Sequence, residues 1–351
     1  MVVDIAFYYS FPRQKDWNDS DLEGSGLAGS ETALVHISRE LARRQHQVTV
    51  FNLTRQEGCW HGVRYRHLER LDYNHPWEVF IAVRGPVPDL GKIKARVKVY
   101  WSIEEDRTLV KDWRLVLPYV NAVFTISPFH TRELLWRCQL PPEIIYETRL
   151  GINLDEYAAM LPKVDNKLIY CSIPGRGLEH LARIFPLIQR EIPHATLVIT
   201  SDYTLWGRQP GNDAYRELFR PLKAVNFLGK VPRARLIREQ KTSVLHLYPC
   251  TVAELFCLPS IECQAAGTPT IAANLGALAS TVQDGFSGLL LKGPASRTGF
   301  HQEFARAVVD VLQHPGRRQE MQRQARERAW RHYSYARIVS EWEGRFLAWR
   351  K

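Results

Sequence analysis

The sequence predicts an α/β protein of two Rossmann-like domains, each a parallel sheet wound by crossover helices. Three observations carry this expectation. At 351 residues the chain exceeds the length at which a single hydrophobic core keeps growing. Short β-branched and aromatic runs alternate with amphipathic stretches of helical period, the pattern of strand–helix–strand units. That alternation runs through the first half, fades, and restarts near Lys167.

Residues 2–9 read as the first strand. Residues 31–45 place Leu34, Ile37, Ser38, Leu41 and Ala42 at helical spacing, and 47–53 reads as the next strand. Further strands are expected at 79–83, 97–101 and 122–126, with helices after Glu104 and after Ser127. The second half gives strands at 167–172, 196–200, 224–227, 244–247, 270–273 and 289–292. The expected organisation is a first domain over 1–150, a hinge over 151–166 marked by Pro162 and Asp165-Asn166, and a second domain over 167–334. A terminal helix over 335–351 carries Ile338, Trp342, Phe346 and Trp349 on one face. Core packing is the first reading of that face, and a peripheral membrane contact the alternative.

With 45% hydrophobic and 24% charged residues the composition is that of an ordinary globular protein. No apolar run reaches the roughly 18 residues of a membrane span, and the opening residues lack a basic start and a cleavage site. Six scattered cysteines form no Cys-x-x-Cys pair, which suits a reducing cytoplasm. Cys250, Cys257 and Cys263 have no histidine in register, so no metal site is assigned to them. The net charge of +10 is uneven: residues 1–160 hold 20 Lys+Arg against 21 Asp+Glu, leaving 27 against 16 in the rest. The second half is therefore expected to face anions, although Arg317, Arg318, Arg323, Arg326, Arg328 and Arg331 read as the solvated face of a helix. Charge alone does not make a nucleic-acid binder, and no such motif is present.

The most informative segment is 253–267. Pro259 suits the first turn of a helix and Gly267 its stop, so Glu254 falls in the preceding loop and Glu262 on the first turn. A helix N-terminus with its free N–H groups is a site for a diphosphate, and two acids beside it can accept hydrogen bonds from sugar hydroxyls. A second element, Tyr170 to Leu181, runs from a strand through Pro174-Gly175-Arg176 into a helix, where a guanidinium can fork onto phosphate oxygens at the carboxyl edge of the sheet. The loop 273–280 follows another strand, with Gly276 permitting close backbone approach.

Two glutamates with seven residues between them in this setting resemble the donor-binding motif of glycosyltransferase family 4, and segments 225–232, 245–249, 265–271 and 284–289 resemble that family's in its order. The resemblance implies a GT-B fold, two Rossmann-like domains facing each other across a deep cleft, and a retaining transfer of a hexose from a nucleotide-diphosphate sugar without a metal or other cofactor. It implies that Glu262 binds the ribose, Glu254 the hexose, and the backbone at Phe256, Cys257 and Leu258 the phosphates and sugar. Arg176 would stabilise the departing diphosphate, with Lys230 as a second charge, because Ser172 stands where an arginine is usual.

In the first half, Gly24, Gly26, Gly29 and Ser30 resemble the family's glycine loop, placing Gly29 and Ser30 near the acceptor or donor phosphate; a plain helix cap by Ser30 is the alternative. Ser102 stands where the family has a histidine, with Glu104, Glu105 and Asp106 just beyond; Glu105 is taken as a catalytic candidate, against the alternative of an acidic helix start. His130 reads as an ordinary helix residue. The acceptor is expected to be a carbohydrate, a lipid-linked or a small-molecule hydroxyl. The rival readings are a catalytically impaired nucleotide-sugar binding protein and a GT-B sugar-nucleotide epimerase.

Overall fold

The computed structural model describes residues 2–11, 16–24, 26–85, 87, 89–104, 113–206 and 214–349. The chain forms two compact units: Met1–Leu22 with Gly29–Gly151 and Tyr335–Lys351, and Glu23–Ala28 with Ile152–Ser334. The stretch expected as a hinge belongs to the second unit from Ile152 onward.

The first unit starts with strand β1 (Asp4–Tyr9), helix α1 (Gly29–Arg43) and strand β2 (Gln47–Asn52). It continues through β3 (Gly58–Trp60), β4 (Val63–His67), β5 (Trp77–Val83), β6 (Ala95–Trp101), β7 (Ala122–Thr125), α2 (Pro128–Arg137) and β8 (Ile145–Glu147). Its sheet has the order β3-β4-β2-β1-β5-β6-β7-β8 and is parallel except for β3 against β4. Strands β1 and β5 are almost wholly buried, as inner strands of a sheet covered on both faces must be.

In the second unit, β9 (Lys167–Tyr170), β10 (Thr196–Ile199), β11 (Val225–Phe227), β12 (Leu245–Tyr248), β13 (Thr270–Ala273) and β14 (Gly288–Leu291) form a parallel sheet ordered β11-β10-β9-β12-β13-β14. Its helices are α3 (Leu154–Tyr157), α4 (Leu178–Glu191), α5 (Ala214–Phe219), α6 (Arg233–Thr242), α7 (Leu258–Ala265), α8 (Leu278–Thr281), α9 (Phe300–Gln313) and α10 (Pro315–His332). Strand order reverses between β9 and β12, so the loops after these two strands diverge at their carboxyl ends. An open α/β sheet leaves its ligand crevice at such a point.

The last helix, α11 (Tyr335–Trp349), belongs to the first unit. Its Trp342 is fully buried, stands edge-on to Trp101 at 5.0 Å and donates from Nε1 to Thr148 Oγ1 at 2.8 Å. Ile338 and Phe346 are buried with it. The apolar stripe is thus core of the first unit, the first of its two readings. No helix among the described residues is long and apolar enough to cross a membrane.

Candidate functional site

The second unit gathers its chemistry at the carboxyl ends of β9, β12 and β13. After β9 the chain turns through Pro174-Gly175-Arg176 into Gly177, whose φ of +100° starts α4. A Cβ at Gly177 would lie 2.0 Å from the carbonyl oxygen of Pro249, so only glycine lets this turn sit against the end of β12. That contact aims Arg176 at the loop after β12, and its Nε lies 3.7 Å from Glu254 Oε1.

Glu254 is fixed from three sides. Its backbone bridges to Gly276, and its carbonyl accepts from Ala277 N–H at 2.7 Å. Gly276 has φ +58°, and a Cβ there would stand 2.4 Å from the Glu254 carbonyl oxygen. The Glu254 carboxylate accepts a hydrogen bond from Tyr248 Oη, whose hydroxyl also lies 3.3 Å from Ser172 Oγ. Tyr248 escaped the sequence reading, although it ends a strand two residues before the loop. Burial, and after it the Glu254 charge, push the Tyr248 hydroxyl well above its ordinary range, so it stays a donor. The same two causes push the Cys250 thiol up to about 12. Burial alone would lower the Arg176 guanidinium, but Glu254 beside it raises it. Arg176 is therefore a permanent cation, matched at rest by one carboxylate and available to a more highly charged anion.

Helix α7 opens beside this pair. Cys257, its N-cap, has φ +74° and makes no side-chain cap, and Pro259 in the first turn has no N–H. A left-handed non-glycine residue is a strained conformation of the kind found at ligand sites. Phe256, Cys257 and Leu258 are buried with the loop backbone. The opposite end of α7 is held by cations, as its dipole favours: Lys163 Nζ donates to Ala266 O at 2.9 Å and Arg326 Nη1 to Ala265 O at 2.9 Å. Two of the tail arginines are thus tethers: Arg326 holds this helix, and Arg328 donates to the carbonyls of Thr281 and Ser280. Arg317 and Arg323 pair with acids on the helix surface, as the solvated-face reading expects.

The structure places two second-unit residues differently from the sequence reading. Glu262 lies in the second turn of α7, buried, where Oε1 accepts from Arg233 Nη1 at 2.6 Å and Oε2 from Gln240 Nε2 at 3.3 Å. Arg233 is shared with Glu156 at 2.6 Å. No local signal in 225–240 marks Arg233 as the partner, because the pair spans α6 and α7. Lys230 lies beyond the edge strand β11, its backbone N–H 3.2 Å from Asp202 Oδ2.

In the first unit, Ser30 is the second residue of α1 and so is not its cap. Its hydroxyl joins a cluster at the ends of β1 and β5: Arg84 Nη1 donates to Tyr9 Oη at 2.6 Å and Ser30 Oγ at 3.1 Å, and Tyr9 Oη donates to Glu31 at 2.5 Å. Arg84 also pairs with Glu104 at 2.7 Å and stacks on Phe11 at 3.5 Å. Gly29 is exposed at the start of the helix. Ser102 is fully buried and its Oγ lies 3.0 Å from Nε2 of His130, itself 1% exposed. The Ser102 hydroxyl thus faces a buried imidazole on α2, and His130 is a helix residue packed in the interior, its Nδ1 3.4 Å from the Ile126 N–H. Ser127 caps α2 by accepting from His130 N–H at 3.0 Å. Glu105 and Asp106 lie outside the described residues. An Asp-x-Asp triplet, Asp19-Ser20-Asp21, went unread in the sequence: Asp19 is buried and held by Arg39 and His61, and Asp21 accepts from Asn18 N–H at 2.9 Å, so both carboxylates are engaged.

Comparison with known proteins bears on the second unit first. Residues 172–328 match the family described as Glycosyl transferases group 1. A D-inositol 3-phosphate glycosyltransferase of Nocardia farcinica is 40% identical over 84 residues, 23% of this chain and 18% of the relative. That of Corynebacterium aurimucosum is 31% identical over 140 residues, 39% of this chain and 32% of the relative. The match thus spans about a third or less of these relatives. Among solved structures, sucrose-phosphate synthase from Thermosynechococcus elongatus superposes with a TM-score of 0.73 at 16% identity, covering 98% of each chain. The Anabaena HepE protein in complex with UDP-glucose gives 0.73 at 15%, covering 99% of this chain and all of the other. The chain has the GT-B fold of these glycosyltransferases, two parallel-sheet Rossmann-like domains, and its second unit carries the glycosyl transferases group 1 match.

Proposed function

We propose that this protein is a retaining, metal-independent glycosyltransferase that moves a hexose from a nucleoside-diphosphate sugar to an acceptor hydroxyl. The observation that carries the reading is the Arg176–Glu254 pair, 3.7 Å apart beside the uncapped start of α7. A cation, a helix N-terminus and an acid on one sheet edge suit a pyrophosphate and the sugar attached to it. The solved complex of the Anabaena protein with UDP-glucose supports this class of donor.

Glu254, oriented by Tyr248, accepts hydrogen bonds from hexose hydroxyls, while the α7 amides and Arg176 hold the diphosphate. As the bond from the anomeric carbon to the phosphate oxygen breaks, the leaving oxygen gains charge against Arg176. The acceptor oxygen then bonds to the same face of the anomeric carbon, and its proton passes to the departing phosphate oxygen. Glu262 keeps acceptor lone pairs beyond those used by Arg233 and Gln240, and it takes the ribose hydroxyls with its carboxylate already fixed. Lys230 adds positive charge at the edge of the sheet. The acceptor, a carbohydrate, lipid-linked or small-molecule alcohol, falls to the first unit, whose Gly29, Ser30 and Arg84 cluster offers polar groups at a helix start. NMR of the product made from a donor of known anomeric configuration decides the stereochemistry. Retention is expected, and an inverted linkage overturns the mechanism.

A further inference from the structure

Behind the donor-side residues, between the second unit's sheet and α7, three soft or borderline ligand groups converge. Cys171 follows β9, His246 lies on β12 and Cys263 on α7, with relative exposures of 7%, 0% and 0%. The two sulfurs and a ring nitrogen of His246 all lie within 4.8 Å of one another, with Sγ of Cys171 3.5 Å from Sγ of Cys263. Two thiolates on one tetrahedral zinc at Zn–S distances of about 2.3 Å stand ~3.7 Å apart, within a few tenths of an ångström of this spacing.

The imidazole is already oriented as a ligand. His246 Nδ1 lies 3.1 Å from Thr270 Oγ1, while Nε2 is buried with no partner at full hydrogen-bond geometry, the imidazole interacting with the Cys171 thiol. With the Nδ1 proton given to the threonine oxygen, the Nε2 lone pair is left free, the outer-sphere arrangement that fixes the tautomer of metal-ligating histidines. A buried nitrogen short of a full hydrogen bond is costly, and a cation removes the cost. Gln240 Nε2 reaches Cys171 Sγ at 3.9 Å, a donor to a thiolate. Two thiolates and a neutral imidazole carry a charge of −2, which a divalent soft cation cancels inside the protein.

We propose that Cys171, His246 and Cys263 bind one zinc ion inside the second unit as three of its four ligands, a water taking the fourth position. The ion braces the end of β9 and the central strand β12 against α7, and so sets the helix that carries Glu262 next to Cys263. It has no part in the transfer chemistry, and it stands whether or not the proposed donor reading holds. Two cysteines 92 residues apart in the chain give no spacing motif, which is why the site is invisible along the sequence.

The full chain, expressed without a polyhistidine tag and purified without metal-affinity resin, is analysed for bound metals by mass spectrometry of the elements. About one zinc per chain is expected, falling to roughly a tenth or less in Cys171→Ser and Cys263→Ser and unchanged in the exposed-site control Cys59→Ser. Because a ligand variant can fail to fold, the unmutated chain is also stripped and titrated with Co2+. Sulfur-to-cobalt charge-transfer absorption in the near ultraviolet, with visible bands of a tetrahedral ion, is the expected result. Zinc well below one equivalent with no cobalt–thiolate absorption overturns the proposal. So does copper in place of zinc, or a peptide map of the native chain in which Cys171 and Cys263 are joined as a disulfide.

Discussion

Arg176 and Glu254 stand so close that either can be tested against the other. Arg176→Ala removes the cation that the proposed mechanism sets against the leaving diphosphate; the expected loss in kcat is about 10²- to 10³-fold, with the melting temperature little changed. Steady-state kinetics with UDP-glucose as the first donor, beside a thermal melt, check it, and a variant at full rate sinks the role. Tyr248→Phe keeps the ring and loses the hydroxyl that orients Glu254 and faces Ser172. Roughly a tenfold fall in kcat is expected, the worth of one hydrogen bond of about 1–1.5 kcal/mol. Glu262 asks for a gentler change, because alanine there takes from the buried Arg233 one of its two carboxylate partners, leaving only Glu156, and so perturbs the fold as well as the site. Glu262→Gln is expected to weaken UDP-sugar stabilisation in a thermal-shift series more than Ser30→Ala does, and equal responses refute the ribose assignment. Glu254 and Arg176 were readable because each follows a strand in a loop with helix signals beyond it. Arg84 and Tyr248 were not, since an arginine or tyrosine ending a strand has no local signature and only strand order brings it to its partners.

At the scale of elements, Pro259, Gly267 and Ser127 marked helix ends legibly, whereas Ser30 did not mark the start of α1. Gly267 takes φ +67° just past α7, and Ser127 caps α2, because those residue types meet the local backbone demand. The short strands β3, β4 and β8 were missed: β3 and β8 have three residues each, too few to carry a period, and the alternation of β4 runs for only five, so it is pairing within the sheet that makes them strands. Contact between α4 and α9 contains a histidine pair, His180 Nδ1 lying 2.9 Å from His301 Nε2. Burial lowers both imidazoles below the ordinary histidine range; at His180 the Glu179 charge opposes this and Arg183 adds to it, and at His301 both His180 and Arg183 add to it. The folded chain therefore binds fewer protons than the unfolded one just below the ordinary histidine range. Stability from this pair is complete above that range and is lost as pH falls through it. Denaturant melts of the native protein against His180→Gln/His301→Gln between pH 7.5 and 5 are expected to show a shallower acid decline in the double variant; identical slopes refute the coupling.

For the whole molecule, the terminal helix shows how far apart in sequence the parts of one unit lie. Trp342 of α11 fills the core beside Trp101 and Phe124, and Glu343 pairs with Arg44 at 2.6 Å. Trp342→Ala is expected to destabilise the first unit by about 3–5 kcal/mol while a donor-induced thermal shift in the second unit persists. Calorimetry with two resolved transitions checks this, and loss of both transitions together refutes independent units.

Sequence alone set out two α/β domains, the place of most of their strands, and the loop-and-helix segment around α7 on which the donor proposal rests. Those properties follow from hydrophobic period, helix punctuation and loop chemistry, all of which act over a few residues. Only the tertiary structure decided that Glu262 is locked by Arg233, that His130 stands behind Ser102, and that Cys171, His246 and Cys263 meet. Each of these joins elements whose adjacency is fixed by sheet order and helix packing, and no spacing along the chain records it.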